Sequence, residues 1–127
     1  MINKALKYKN LPNQLRIKNF DSSFLKHECI KLITMTLCKR KYPTAEIYSE
    51  YQLLNGDFPD VLVEFPNGDI MVFEVQTEIG NAWEKSIKKR DAEVGQLMNK
   101  RFDTIVIPVK LMPDNIYELE TKLKEFI

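Results

Sequence analysis

Residues 60–76, DVLVEFPNGDIMVFEVQ, decide how this chain folds. Two short runs rich in Val, Ile and Phe flank Pro66-Asn67-Gly68, which is the composition of paired strands joined by a tight turn. Phe65-Pro66-Asn67-Gly68 suits a type I turn continued by a G1 bulge. Proline presets φ at the second position, asparagine tolerates the third, and glycine takes the left-handed fourth. That loop pairs Phe65 with Asp69. Counting outward, Glu64 faces Ile70, Leu62 faces Val72, and Asp60 faces Glu74. A two-residue Asn-Gly turn would instead set Asp60 opposite Val75 and turn Glu74 to the other face. The proline favours the register that joins the two carboxylates.

Directly opposed side chains on paired strands have Cβ atoms about 5 Å apart. Two like charges at that spacing repel unless something positive lies between them, and the local sequence offers no obvious Lys or Arg partner. A hard divalent cation such as Mg²⁺ answers this with oxygen ligands. The competing reading is a solvent-exposed hairpin end on which both charges are merely tolerated.

Outward from the hairpin, the chain reads as alternating elements with no repeat, low-complexity tract or Gly/Ser linker. Residues 1–20 are polar and weakly periodic, compatible with an extended arm or a short helix. Asp21-Ser22-Ser23 caps a helix running through FLKHECIKLITMTLCKRK, with Leu25, Cys29, Leu32, Ile33 and Thr36 on one stripe and Glu28 at its edge. Tyr42-Pro43-Thr44 ends that helix, and residues 45–51 read as a strand. Asn81-Ala82 opens a second helix to about Lys100, with Trp83, Ile87, Val94, Leu97 and Met98 inward and Trp83 as its core anchor. Residues 104–109 form a buried apolar strand. Pro113-Asp114 caps a last helix with Leu119, Leu123 and Phe126 inside. The expected fold class is α/β: a mixed four-stranded sheet flanked by helices, with a hairpin-joined antiparallel part and a helix-crossover parallel part.

Bulk properties set the frame. The 127 residues suit one domain, with 44% hydrophobic and 29% charged residues, and that length buries a core without disulfides. No apolar run approaches a membrane span, and the start lacks a signal peptide's apolar stretch, so an intracellular protein with no membrane partner is expected. Cys29 and Cys38 fall in one helix about 13 Å apart, too far for a disulfide. The net charge of +1 does not announce a polyanion partner. Clusters do exist, at Lys85, Lys88, Lys89 and Arg90, and at Lys26, Lys31, Lys39, Arg40 and Lys41. They suit either phosphate contacts or a solvated face.

Pro59-Asp60, a hairpin, and then Glu74-Val75-Gln76 resemble the PD-(D/E)xK motif of restriction-endonuclease-like nucleases, with Gln76 in the usual lysine position. The element order over roughly residues 22–110 resembles that superfamily's αβββαβ core. The short length and helix-borne Glu28 most resemble archaeal-type Holliday junction resolvases. The resemblance implies a Mg²⁺ (or Mn²⁺) held by Asp60, Glu74 and the Val75 carbonyl, with Glu28 acting through water. It implies a water activated on that metal to attack a DNA phosphodiester, with Gln76 orienting the water, and a homodimer, because cutting two strands needs two sites. Gln76 departs from the pattern: an amide hydrogen-bonds but carries no charge. Some restriction enzymes of the superfamily resemble this chain in carrying glutamine there. The alternative is a nuclease-fold nucleic-acid-binding module with weak or absent catalysis.

Among the remaining residues, Lys85, Lys88, Lys89 and Arg90 are candidates for DNA contact. Arg90 falls within the apolar stripe of its helix, where it either reaches the site or snorkels. His27, the only histidine, has no Ser or Cys partner at a recognisable spacing and receives no catalytic role.

Overall fold

The Pro66-Asn67 turn forms as its residues dictate. In the computed structural model, which describes Phe20 and residues 22–127, the Gly68 amide donates to the Phe65 carbonyl at 2.8 Å and the Phe65 amide to the Asp69 carbonyl at 2.9 Å. Gly68 has φ +91, the left-handed conformation that closes a G1 bulge. The Asn67 side chain accepts from the Asp69 amide at 2.9 Å, so the turn is also held by a side chain. This fixes β2 (Val61–Glu64) against β3 (Ile70–Gln76), antiparallel, with Glu64 opposite Ile70 and Leu62 opposite Val72.

The other elements complete a four-stranded sheet in the order β1-β2-β3-β4. Strand β1 (Glu46–Ser49) is antiparallel to β2, while β4 (Phe102–Pro108) is parallel to β3 across a helical crossover. Among the described residues three helices flank it: α1 (Ser23–Lys41), α2 (Asn81–Met98) and α3 (Ile116–Leu123), with a short 3₁₀ turn at Val109–Leu111. The fold is thus α/β with a mixed sheet, and the described residues run helix, three strands, helix, strand, helix.

Alternation along the strands divides the core in two. Val61, Val63, Phe73, Val75 and Ile107 pack with Ile30, Leu37 and Cys38 of α1 and Leu119 and Leu123 of α3. Leu62, Ile70, Val72 and Phe102 pack with Val94 of α2 and Leu53. Fully burying a side chain such as Phe73 contributes about 2–3 kcal/mol.

The faces of the helices differ from the sequence reading. In α1 the buried residues are Lys26, Ile30, Lys31, Thr34, Leu37 and Cys38, whereas Leu32 is 65% exposed. The stripe is displaced because Lys26 and Lys31 turn inward with partners. Lys26 Nζ reaches the Met112 carbonyl and Asp114 at 2.7 Å each, and Lys31 Nζ reaches Glu50 at 3.1 Å. A lysine so engaged takes an inward position that a count of apolar residues assigns elsewhere. In α2, Leu97 is 71% exposed and Trp83 is half-buried outside both cores, so Val94 and Met98 rather than Trp83 anchor the helix. Asn99, left-handed at φ 53, ends α2. The cap of α3 is Asn115, whose side chain accepts from the Tyr117 amide; Asp114 pairs with Lys26 instead. Ser22 caps α1 as expected. The expected arm or short helix over residues 1–20 lies outside the described residues, save Phe20, whose amide meets the Asp114 carbonyl. Both cysteines are free, and no helix among the described residues is long and apolar enough to cross a membrane.

Candidate active site

The β2–β3 ladder ends at Val61 opposite Phe73. One residue beyond, Asp60 leaves the strand, and its Oδ2 accepts from the Val75 amide on the other arm at 2.7 Å. The register that points Asp60 toward Glu74 therefore holds to the last rung, and the carboxylate then ties the two strand ends together. Glu74 and Gln76 share one face of β3, the α2 side, and Val75 faces α1.

Both carboxylates are largely enclosed, Asp60 with 17% and Glu74 with 12% of the side chain exposed. Burial lifts the Asp60 carboxyl above its usual value, against the pull of the Val75 amide, His27 and Lys31. Glu74 is likewise raised, chiefly by burial and also by the nearby negative charge of Asp60 and Asp57. Burial disfavours the ionised form of both carboxylates, and positive groups beside them oppose it: His27 and Lys31 at Asp60, Arg90 at Glu74.

The cation partner missing from the local sequence is present in space. Arg90, from the middle of α2 and 5% exposed, donates through one guanidinium nitrogen to Glu74 Oε1 at 3.0 Å and through the other to Thr104 Oγ1 at 2.9 Å. Asp91 Oδ1 accepts from Arg90 Nε at 3.3 Å and from the Thr104 hydroxyl at 2.9 Å, and Asp57 stands 3.7 Å from the guanidinium. Arg90 also lies over the Phe102 ring. It is thus spent inside the protein. Lys85, Lys88 and Lys89 are exposed on the outer side of the same helix, so the four-residue basic cluster divides into one buried residue and three surface ones.

From the other side of the sheet, α1 delivers three side chains. His27 Nε2 lies 3.0 Å from the Val75 carbonyl and 3.6 Å from Asp60 Oδ1, and its Nδ1 lies 3.4 Å from Glu28 Oε1. Glu28 is partly exposed and sits 3.7 Å from Lys31 Nζ, which is bound to Glu50. Glu50 holds φ +54, a conformation uncommon outside glycine. Burial opposes the Lys31 charge, but Glu50, Glu28 and Asp60 outweigh it and raise its pKa. In the sequence reading His27 receives no catalytic role, and Lys31 is placed only in a basic cluster. The signal for them was spacing: residues 27, 28 and 31 share one helix face, so a site residue at Glu28 brings its two neighbours with it.

The donor set fits a divalent cation in its chemistry. Val75 O, Asp60 Oδ1 and Glu74 Oε2 are hard oxygen donors, and among the described residues Glu74 Oε2 has no hydrogen-bond partner, while Arg90 holds Oε1. No three His, Cys, Asp or Glu side chains cluster closely enough among the described residues to hold a metal by themselves. A cation at this sheet end would have to draw on the Val75 carbonyl as well as on side chains. No family model matches this chain, and no curated protein or solved structure matches it significantly.

Proposed function

We propose that this chain is an intracellular metal-dependent endonuclease, hydrolysing DNA phosphodiester bonds with a preference for branched structures such as Holliday junctions, and acting as a homodimer. The observation that carries the reading is the Asp60–Val75 tie: it holds two enclosed carboxylates with raised pKa at one sheet end, with Gln76 one step along the same face as Glu74. In this reading Asp60, Glu74 and the Val75 carbonyl hold Mg²⁺ or Mn²⁺. A cation bound there offsets the charge of the phosphodiester and makes a water nucleophilic at neutral pH. Arg90 fixes the Glu74 carboxylate so that one oxygen faces the site. Gln76 orients the attacking water by hydrogen bonds, and Lys85, Lys88 and Lys89 meet the DNA backbone.

The test is cleavage of junctions, flaps, single strands and plain duplex with Mg²⁺ or Mn²⁺, alongside Asp60→Ala. Metal-dependent cleavage lost in the variant supports the reading; wild-type activity equal to the variant's on every substrate removes it. A second reading, a binding module that keeps the fold without catalysis, is favoured by the Arg90–Glu74 pair, which already supplies a cation to one carboxylate, and by the uncharged Gln76. Inert wild type that binds DNA, with cleavage gained in Gln76→Lys, would select it.

A further inference from the structure

The imidazole of His27 stands beside two of the site's oxygen donors. Its Nε2 is 3.0 Å from the Val75 carbonyl oxygen and 3.6 Å from Asp60 Oδ1, while Nδ1 points away toward Glu28 Oε1 at 3.4 Å. Ligand atoms about 2.1 Å from an ion stand about 3.0 Å apart at right angles and about 3.4 Å apart at the tetrahedral angle. The Nε2–Val75 O separation, a hydrogen bond here, is also that of two ligand atoms at right angles on one ion, and the Nε2–Asp60 Oδ1 separation lies slightly beyond the tetrahedral value. They arise from two unrelated segments, α1 and the β2–β3 ends, so helix geometry alone does not impose them.

We propose that His27 Nε2 is a metal ligand beside Asp60 and the Val75 carbonyl, and that the site therefore takes an imidazole-accepting transition ion such as Mn²⁺, Co²⁺ or Zn²⁺ in preference to Mg²⁺. This rests on the reading of Asp60 and Val75 as cation ligands and adds the nitrogen donor that sets the ion's identity. Imidazole suits the later divalent metals, whereas Mg²⁺ keeps to oxygen and water. Without metal, Nε2–H donates to the Val75 carbonyl. With metal, the ring exchanges tautomer through solvent, Nε2 losing its proton and Nδ1 taking one up, so that the Nε2 lone pair faces the ion and Nδ1–H faces Glu28. Glu28 then acts as a positioning residue that fixes the tautomer, the usual partner of a metal-bound histidine. Its partly exposed carboxylate need not reach the ion.

The sole histidine of the chain makes the test direct. The ¹⁵N imidazole resonances of the full chain are followed during titration with Zn²⁺ and, separately, Mg²⁺, and affinities for Co²⁺ and Mg²⁺ are measured by calorimetry. The expected result is a large Nε2 shift with Zn²⁺ and none with Mg²⁺, with Co²⁺ bound at least tenfold more tightly than Mg²⁺. His27→Ala should weaken Co²⁺ at least tenfold and leave Mg²⁺ within about twofold, and Glu28→Gln should weaken Co²⁺ about tenfold. Zn²⁺ or Co²⁺ binding that depends on Asp60 but leaves Nε2 unmoved overturns the role of His27 while the cation site stands. Absence of binding by any of the three ions overturns both. The wild-type resonances decide the matter even if a His27 variant fails to fold.

Discussion

Gln76 occupies the position in which the resembled family carries lysine, and it is half-buried on the Glu74 face of β3. Gln76→Leu keeps the bulk and removes the hydrogen bonds. In a cleaving wild type it should cost on the order of 3 kcal/mol, about a hundredfold in rate, with metal affinity unchanged. Single-turnover cleavage at saturating metal checks this, and equal rates would show that Gln76 does not touch the reacting water. Asp91 tests the electrostatics behind the site without touching a proposed ligand. Burial raises its carboxyl above the ordinary 3.8 against the pull of Thr104 and Arg90. A carboxyl with a raised folded pKa contributes its stability below the unfolded value and loses it as pH rises through the folded one. Asp91→Asn keeps an acceptor for Thr104 and Arg90, so it should unfold at a higher temperature than wild type at pH 7. The difference should vanish below about pH 4, where the unfolded carboxyl is also protonated. Thermal melts across pH 3–8 read it, and a variant less stable at pH 7 would mean that the charge is needed by Arg90. At this scale Asp60 and Glu74 were legible because strand alternation and turn type set their register. Arg90 and His27 were not placed, because each reaches the site from a helix whose packing on the sheet no local pattern encodes.

The hairpin turn is the element on which the site depends, and Gly68 is its hinge. At φ +91 a side chain is strained, costing about 1–2 kcal/mol. A Cβ there would also lie 2.9 Å from Lys100 Cε, displacing the lysine whose Nζ holds the Asn67 carbonyl. Gly68→Ala should therefore lower unfolding stability by about 2 kcal/mol in urea titration; an unchanged midpoint would show that the turn relaxes freely. Element order was legible throughout: each run had its own period and punctuation, from the Ser22 cap to the apolar residues 105–107 of β4, although β4 begins two residues before the expected strand and includes the exposed Asp103. Helix faces were less so. The α1 stripe was misplaced because Lys26 and Lys31 point inward, each held by an acceptor distant in sequence. A hydrophobicity count treats such residues as outward by default. Likewise Leu97 is exposed although Met98 beside it packs on the core, because the inward face of α2 runs through Arg90, Val94 and Met98 at steps of four residues.

Taken whole, the molecule distributes a net charge of +1 unevenly, and the structure sorts its basic residues by what they already hold. The cluster on α1 is largely committed. Lys26 and Lys31 are buried with partners, Lys39 donates to the Ala45 carbonyl, Arg40 pairs with Glu120, and Lys41 meets the Ile127 carbonyl. Lys85, Lys88 and Lys89 on α2 differ: they are exposed and share one face at helical spacing, with Lys89 3.9 Å from Glu93. An exposed pair of that kind is worth little and yields readily to a phosphate. If this face follows DNA, each phosphate contact releases counterions and steepens the salt dependence of binding by about 0.9 in log K against log salt. Replacing all three lysines with alanine should therefore flatten the slope by about 2 to 3, while Arg40→Ala, which removes a charge already paired with Glu120, should leave it within error. Fluorescence anisotropy on a junction and on plain duplex, over a range of salt, measures both. The comparison separates a docked face from general charge. Loss of three charges anywhere on a small protein weakens binding somewhat through the long-range field, but only loss of phosphate contacts reduces the counterions released. A triple variant that binds more weakly with an unchanged slope would place the DNA elsewhere on the molecule.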